Sequence, residues 1–275
     1  MPKKVVLYNP KAVFFDMPLA LLSIGSMLDP EVYRVVIIDA RMESDPLKRL
    51  KEECSGAICL GVTTLTGAPL KDALIASRYI KEEYPNLSII WGGWHASLFG
   101  EDTLWEESSI DITVQGQGET TFRELVLSID AGVGVESISG ITYRDKSGEV
   151  IKNKPRPMMD MNSLAPVNYD LINVESYFKA KGNRQFDYIS SIGCHFRCTF
   201  CADPFVYERG WSGIHPERMG EELDYWHSKY RFTDLNFQDE TLGLECVNKP
   251  FNKVGPVTLT FDLVTPNTTE SFLYW

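Results

Sequence analysis

The sequence has no surplus of positive charge. Lys and Arg number 27 against 38 Asp and Glu, for a formal net charge of −11, which argues against the clustered basic surface that duplex binding requires. No apolar run reaches the ~18 residues of a membrane-spanning helix. The N-terminus passes straight into a strand pattern, with too short an apolar stretch for a signal peptide. There is no internal repeat and no low-complexity segment. No Gly-x-Gly-x-x-Gly follows the first strand, where the text reads Asn9-Pro10-Lys11-Ala12, so a nicotinamide-dinucleotide site is disfavoured. Cysteine is scarce as well: six residues, three of them bunched. That usage points to a reducing compartment rather than a disulfide scaffold, and the expectation is a cytoplasmic protein. Cys54, Cys59 and Cys246 lack ligand-like spacing and read as buried hydrophobes or plain thiols.

What is present is an alternation of short β-branched runs with helical patterns, the signature of a parallel α/β sheet. Strands are predicted at Val5–Tyr8, Val35–Ile38, Ala57–Val62, Leu87–Trp91 and Ile112–Val114. Helices are predicted over Pro18–Leu28, Asp45–Glu53, Lys71–Glu83 and Thr120–Ile129. Gly140–Gly148 reads as a hairpin with turn chemistry at Asp145–Gly148, and Pro155, Pro157 and Pro166 punctuate a linker. A second βα pattern opens with the apolar run Phe186–Ile192. It continues through a helix at Glu217–Tyr230 and a strand from Asp234 to Gln238.

The densest chemical signal lies between those two patterns. Ser-Ile-Gly-Cys-His-Phe-Arg-Cys-Thr-Phe-Cys places Cys194, Cys198 and Cys201 in a Cys-x3-Cys-x2-Cys spacing. A four-iron cluster normally takes four cysteines, so three thiolates leave one iron without a protein ligand. An open coordination position marks substrate binding or catalysis rather than a structural staple. A zinc knuckle is the alternative, but it wants a fourth Cys or His nearby, and the only local candidate is His195, inside the loop. Arg197 could steady a cluster's negative charge or be a plain surface cation.

The loop, entered from a strand and carrying an aromatic residue before its third cysteine, resembles the signature of radical S-adenosylmethionine (SAM) enzymes. The resemblance implies a [4Fe-4S] cluster on Cys194, Cys198 and Cys201, and a SAM molecule whose adenine lies near Phe200. It also implies that the polar end of the strand Leu235–Glu240 receives the SAM ammonium, which selects Asp239 and Glu240. In an open parallel sheet, ligands sit at the carboxyl ends of the strands, where this chain carries Thr63-Thr64-Leu65, Gly92-Gly93, His95 and Gly116-Gln117-Gly118-Glu119. These positions resemble the cobalamin-binding domain that precedes many radical SAM barrels. On that likeness Thr63, Thr64, Leu65, Gly92, Gly93, His95, Gly116, Gly118 and Glu119 line the cobalamin, with His95 a loop residue near its tail. An N-terminal sheet that binds nothing and serves as a scaffold is the competing reading. The Asp-x-His-x-x-Gly motif that ligates cobalt in other cobalamin folds is absent, since Asn9 to Pro18 contains no histidine.

The fold expected is therefore α/β, with a doubly wound parallel sheet at residues 1–135 and a hairpin and linker at 136–180. Residues 181–275 are read as the start of a partial (β/α) barrel with an atypical tail. After Leu244 the text loses its βα rhythm, although Thr258–Val264 alternates like a strand, and the sequence predicts a truncated or frameshifted gene product. The layout resembles that of anaerobic magnesium-protoporphyrin IX monomethyl ester cyclases and cobalamin-dependent radical SAM methyltransferases. It implies methyl transfer or radical cyclisation or rearrangement of a small-molecule substrate, with flavodoxin or ferredoxin as electron donor; charge and hydropathy predict no nucleic-acid partner and no membrane span. The alternative is a non-catalytic fragment that binds only a cluster or a corrinoid.

Overall fold

The computed structural model describes residues 2–241 and the backbone of 258–261. The expectations for Cys246, for residues 262–264 and for the tail beyond fall outside the described residues. The chain divides into two compact units. The first comprises residues 1–14, 20–157 and 167–172; the second comprises 15–19, 158–166 and 173–275.

The first unit runs β1 (Lys3–Asn9), α1 (Leu19–Ser26), β2 (Tyr33–Asp39), α2 (Pro46–Cys54), β3 (Ala57–Thr63) and α3 (Ala68–Glu83). It continues through β4 (Ser88–Gly92), α4 (Trp94–Leu98), α5 (Gly100–Glu106), β5 (Ile112–Val114), α6 (Glu119–Ala131), β6 (Ile141–Arg144) and β7 (Val150–Lys152). One seven-stranded sheet results, in the order β2-β1-β3-β4-β5-β6-β7. The first five strands are parallel. The hairpin at Gly140–Gly148 is β6 and β7, and it extends the sheet antiparallel from β5.

Period-two alternation assigns the strand residues to two cores. Val6, Tyr8, Leu60, Val62, Ile89 and Trp91 pack with Leu50 of α2 and with Ala73, Ala76 and Ile80 of α3. Val5, Leu7, Cys59, Ile90, Ile112 and Val114 pack with Leu21 of α1 and with Phe122, Leu125 and Val126 of α6. The sheet is thus covered on both faces, and the strand order reverses between β1 and β3, the switch point where such sheets hold ligands. The indole nitrogen of Trp91 donates to the Ser77 hydroxyl at 2.9 Å, so a fully buried polar edge is satisfied. Cys54 and Cys59 are buried, and burial pushes both thiols up to about 12.

The second unit contains α7 (Val174–Lys181), β8 (Gln185–Tyr188), β9 (Ser191–Gly193), α8 (Asp203–Val206), β10 (Trp211–Gly213), α9 (Pro216–Tyr230), β11 (Asp234–Phe237) and β12 (Thr258–Phe261). β8, β11 and β12 form a parallel three-stranded sheet, in the order β12-β11-β8. The single strand expected over Phe186–Ile192 is broken: β8 belongs to that sheet, while β9 pairs antiparallel with β10. α9 buries Met219, Leu223 and Trp226, one apolar stripe at helical spacing. Asp187 is wholly buried and neutralised by Lys181 at 2.5 Å, with further hydrogen bonds from the Met17 amide and the Asn236 side chain.

Candidate functional site

Two groups of residues qualify, one in each unit. In the first unit the loops leaving β3, β4 and β5 are sewn together. The amide and the hydroxyl of Thr64 each donate to the Gly92 carbonyl at 2.8 Å, and the Thr64 carbonyl accepts the His95 amide at 3.1 Å. Gly93 takes a φ of +92°, and a Cβ there would stand 2.7 Å from the Thr64 carbonyl oxygen, so glycine is required by conformation and by space. The Gly93 carbonyl accepts the Ser97 hydroxyl at 2.9 Å, and that hydroxyl accepts the Gly116 amide at 3.0 Å.

Thr63, Thr64, Gly92, Gly93, His95 and Gly116 are therefore brought together at one edge. His95 sits on the short helix α4 rather than in a loop. Its Nδ1 lies 3.1 Å from the Thr66 hydroxyl, and burial lowers its pKa. Leu65 is half exposed, and a Cβ on Gly92 would meet nothing, so a ledge stays open at the strand ends. Glu119 opens α6 and accepts the Ser23 hydroxyl of α1 at 2.8 Å; desolvation raises its pKa. A Cβ on Gly118 would meet Ile24 at an ordinary 3.7 Å. This open glycine-lined ledge fits the nucleotide tail of a corrinoid, and the loop after β1 carries no histidine to ligate cobalt.

Sequence reasoning missed the β1–β2 corner of this edge. The buried Asp39 accepts the Asn9 amide at 3.1 Å and the Arg41 guanidinium at 2.9 Å, and Arg41 also reaches the Phe14 carbonyl. The available signal was Asp39 at a strand end with an arginine two residues later.

In the second unit the cysteine loop leaves β9 through Gly193, whose φ is +79° and whose Cβ would stand 2.2 Å from the Gly210 carbonyl oxygen. Cys194 and Cys201 are partly buried and Cys198 is exposed. The Cys194 sulfur accepts the Thr241 hydroxyl at 2.9 Å, and the Cys201 amide donates to the Cys198 carbonyl at 3.1 Å. Burial raises the Cys201 pKa, the Asp203 amide opposes that shift, and the Cys194 and Cys198 sulfurs add to it. Among the described residues no three His, Cys, Asp or Glu side chains are grouped so as to hold a metal ion. The donor set of three thiols in one loop nevertheless fits an iron–sulfur cluster with one open iron. The Nδ1 of His195, inside the loop, lies 3.3 Å from the Arg209 carbonyl. Phe200 is exposed, as are Phe196 and Phe205.

Asp239 and Glu240 follow β11 and differ in their surroundings. Asp239 is buried and accepts the Ser190 amide at 3.1 Å, the Ser190 hydroxyl at 2.7 Å and the Ser191 hydroxyl at 2.6 Å. Burial raises its pKa against those donors. Glu240 receives the Gly193 amide, yet its Oε2 is buried without a hydrogen-bond partner. Burial, then the charge of Asp203, pushes it up to about 7. Such an orphaned acceptor fits a cationic donor such as an ammonium; the carboxylate of Asp239 already takes three donors.

The chain carries an open α/β sheet with a glycine-lined edge and a separate unit bearing a three-cysteine loop, and it is similar to cobalamin-dependent radical SAM proteins. Residues 8–126 match the B12 binding domain family. Over 232 residues the chain is 33% identical to an uncharacterized methyltransferase of Pyrococcus horikoshii, a match covering 82% of this chain and 49% of the relative. Over 228 residues it is 27% identical to the anaerobic magnesium-protoporphyrin IX monomethyl ester cyclase of Synechocystis, covering 81% of this chain and 45% of the relative. The chain thus spans about half the length of these curated relatives. In fold it is similar to the radical SAM methyltransferase TsrM of Kitasatospora setae, with a TM-score of 0.72, 18% identity, and coverage of 89% of this chain and 49% of that one.

Proposed function

We propose that this chain is the cofactor-bearing part of a cobalamin-dependent radical SAM enzyme that carries out methyl transfer or radical cyclisation of a small molecule. The observation that carries this reading is the three-cysteine loop together with the unpartnered Oε2 of Glu240, a carboxylate that the Gly193 amide ties to the start of that loop, in a chain whose residues 8–126 match the B12 binding domain. Residues 1–135 are the cobalamin-binding domain, 136–180 the hairpin and linker, and 181–275 the start of the SAM barrel with its tail. A reducing protein such as flavodoxin or ferredoxin is the proposed electron donor, and the cytoplasm the proposed compartment. Among the described residues no helix is long and apolar enough to cross a membrane.

Cys194, Cys198 and Cys201 hold the cluster, and Thr241 steadies Cys194 through its hydroxyl. Glu240 accepts the SAM ammonium on Oε2, Phe200 offers its exposed ring to the adenine, and Asp239 fixes the turn at Ser190 and Ser191 on which the loop rests. Thr63, Thr64, Leu65, Gly92, Gly93, His95, Gly116, Gly118 and Glu119 form the corrinoid ledge. The bound cofactors supply one-electron reduction and a transferable methyl group; the protein orients them and excludes water.

Anaerobic reconstitution with iron and sulfide, followed by reductant, SAM and hydroxocobalamin, tests the proposal. Formation of 5′-deoxyadenosine or S-adenosylhomocysteine that disappears in Cys198→Ala is the expected result. A cluster visible by spectroscopy with neither product would reduce the chain to a cluster- or corrinoid-binding fragment.

A further inference from the structure

Thr241, the residue after Glu240, turns its side chain toward the cysteine loop. Its hydroxyl donates to the Cys194 sulfur at 2.9 Å from 47 residues further along the chain, so the contact is made by tertiary folding and not by the turns of the loop itself. The backbone that carries the hydroxyl is anchored separately. The Thr241 carbonyl accepts the Trp211 indole N–H at 3.0 Å and the Ser191 hydroxyl at 2.8 Å. Trp211 and Ser191 lie on the paired strands β10 and β9, and Cys194 directly follows β9. Both ends of the hydroxyl–sulfur contact are thus fixed to one two-stranded ribbon.

A cysteine bound to iron is a thiolate and has no proton to give. In that state the hydrogen bond runs one way only, from Thr241 to Cys194. One-electron reduction places more negative charge on a cluster and its sulfurs, and a donor aimed at a sulfur gains strength as that charge grows. Hydrogen bonds to the sulfurs are among the factors that set the potential of an iron–sulfur cluster. A threonine that only packed against the loop would need no hydroxyl at this position.

We propose that Thr241 tunes the cluster held by Cys194, Cys198 and Cys201, its hydroxyl favouring the reduced form and so raising the reduction potential. This rests on the cluster reading above. The electron comes from a low-potential one-electron donor, which is oxidised as the cluster is reduced. No covalent bond forms or breaks, and the hydroxyl keeps its hydrogen. Thr241 is a positioning residue that acts through Cys194, and its presence lets a milder reductant charge the cluster.

Potentiometric titration of the reconstituted protein with dithionite, without SAM or cobalamin and followed by electron paramagnetic resonance of the reduced cluster, reads this directly. Thr241→Val removes the hydroxyl at nearly constant volume. It is expected to make reduction about three- to tenfold less favourable, a midpoint ~30–59 mV more negative for one electron. Thr241→Ser keeps the donor and is expected to stay within a factor of about 1.5 of wild type, or ~10 mV. Iron content and melting temperature establish that each variant is loaded and folded. Equal midpoints in wild type and Thr241→Val overturn the proposal. So does a Thr241→Ser midpoint shifted as far as that of Thr241→Val, which would assign the effect to packing. Should Thr241→Val take up no iron, Thr241→Ala is titrated in its place; if neither loads, the side chain serves cluster assembly and the tuning role falls. Wild-type protein that takes up no iron overturns the cluster reading itself, and the proposal with it.

Discussion

Thr64 and Gly92 are joined twice, since the amide and the hydroxyl of Thr64 both end on the Gly92 carbonyl at 2.8 Å. This pair of hydrogen bonds fixes the loop after β3 to the end of β4. It also brings the Thr64 carbonyl so close to Gly93 that no side chain fits there.

Gly93→Ala and Gly92→Ala therefore behave differently. The first forces a Cβ into Thr64 at a positive φ and is expected to cost about 1–3 kcal/mol, read from urea unfolding. The second meets open space, so stability stays within about 1 kcal/mol of wild type, while hydroxocobalamin binding weakens because the ledge is filled. Equal stability of the two variants would contradict the geometry, and unchanged binding in Gly92→Ala would remove the ledge from the corrinoid site.

Glu119 gives the N-terminal unit a pH signature. Desolvation raises its pKa in the folded state, so folding favours the protonated carboxyl. The associated stability is complete below the unfolded value of about 4.3 and is lost as pH rises through the folded value. Glu119→Gln keeps a neutral side chain and flattens that part of the profile. Denaturation midpoints collected from about pH 4 upward for both proteins should diverge with rising pH, the variant falling less.

The Asp239 turn should be intolerant of truncation. Asp239→Ala leaves the buried Ser190 hydroxyl and amide without their acceptor, while the Ser191 hydroxyl keeps the Thr241 carbonyl at 2.8 Å, an expected loss of about 2–4 kcal/mol. Asp239→Asn keeps the shape and one acceptor oxygen, and should lose about 1–2 kcal/mol. Chemical denaturation distinguishes the two, and equal losses would show that the charge rather than the bonding pattern holds the turn.

The sheet was legible because its signal is local. Val5 to Tyr8 and Ala57 to Val62 are apolar on both faces, and a strand buried on both faces reads as a continuous run. The cysteine loop was legible for the same reason, since its three cysteines lie within eight residues. The short helices α4 and α5 were not legible, because Trp94–Leu98 and Gly100–Glu106 are too brief to establish a period. α7 was announced by Asn173, which caps it through the Ser176 amide, and by Gly182 at its left-handed end, but the prolines nearby favoured a linker. The break between β8 and β9 is a tertiary event. Asp239 captures the Ser190 amide from a strand 49 residues away, and nothing in Phe186–Ile192 itself encodes that.

The antiparallel hairpin has a consequence for how this protein behaves in concentrated solution. A parallel sheet ending at β5 would present an unpaired ladder along that side. β6 covers it, and the new boundary is β7, three residues long and ending in Lys152, whose ammonium is held outward in an ion pair with Glu101 at 2.7 Å. A short strand with a lysine on it is a poor template for another chain, so copies of this protein meeting along β7 find too little backbone to share and separate again.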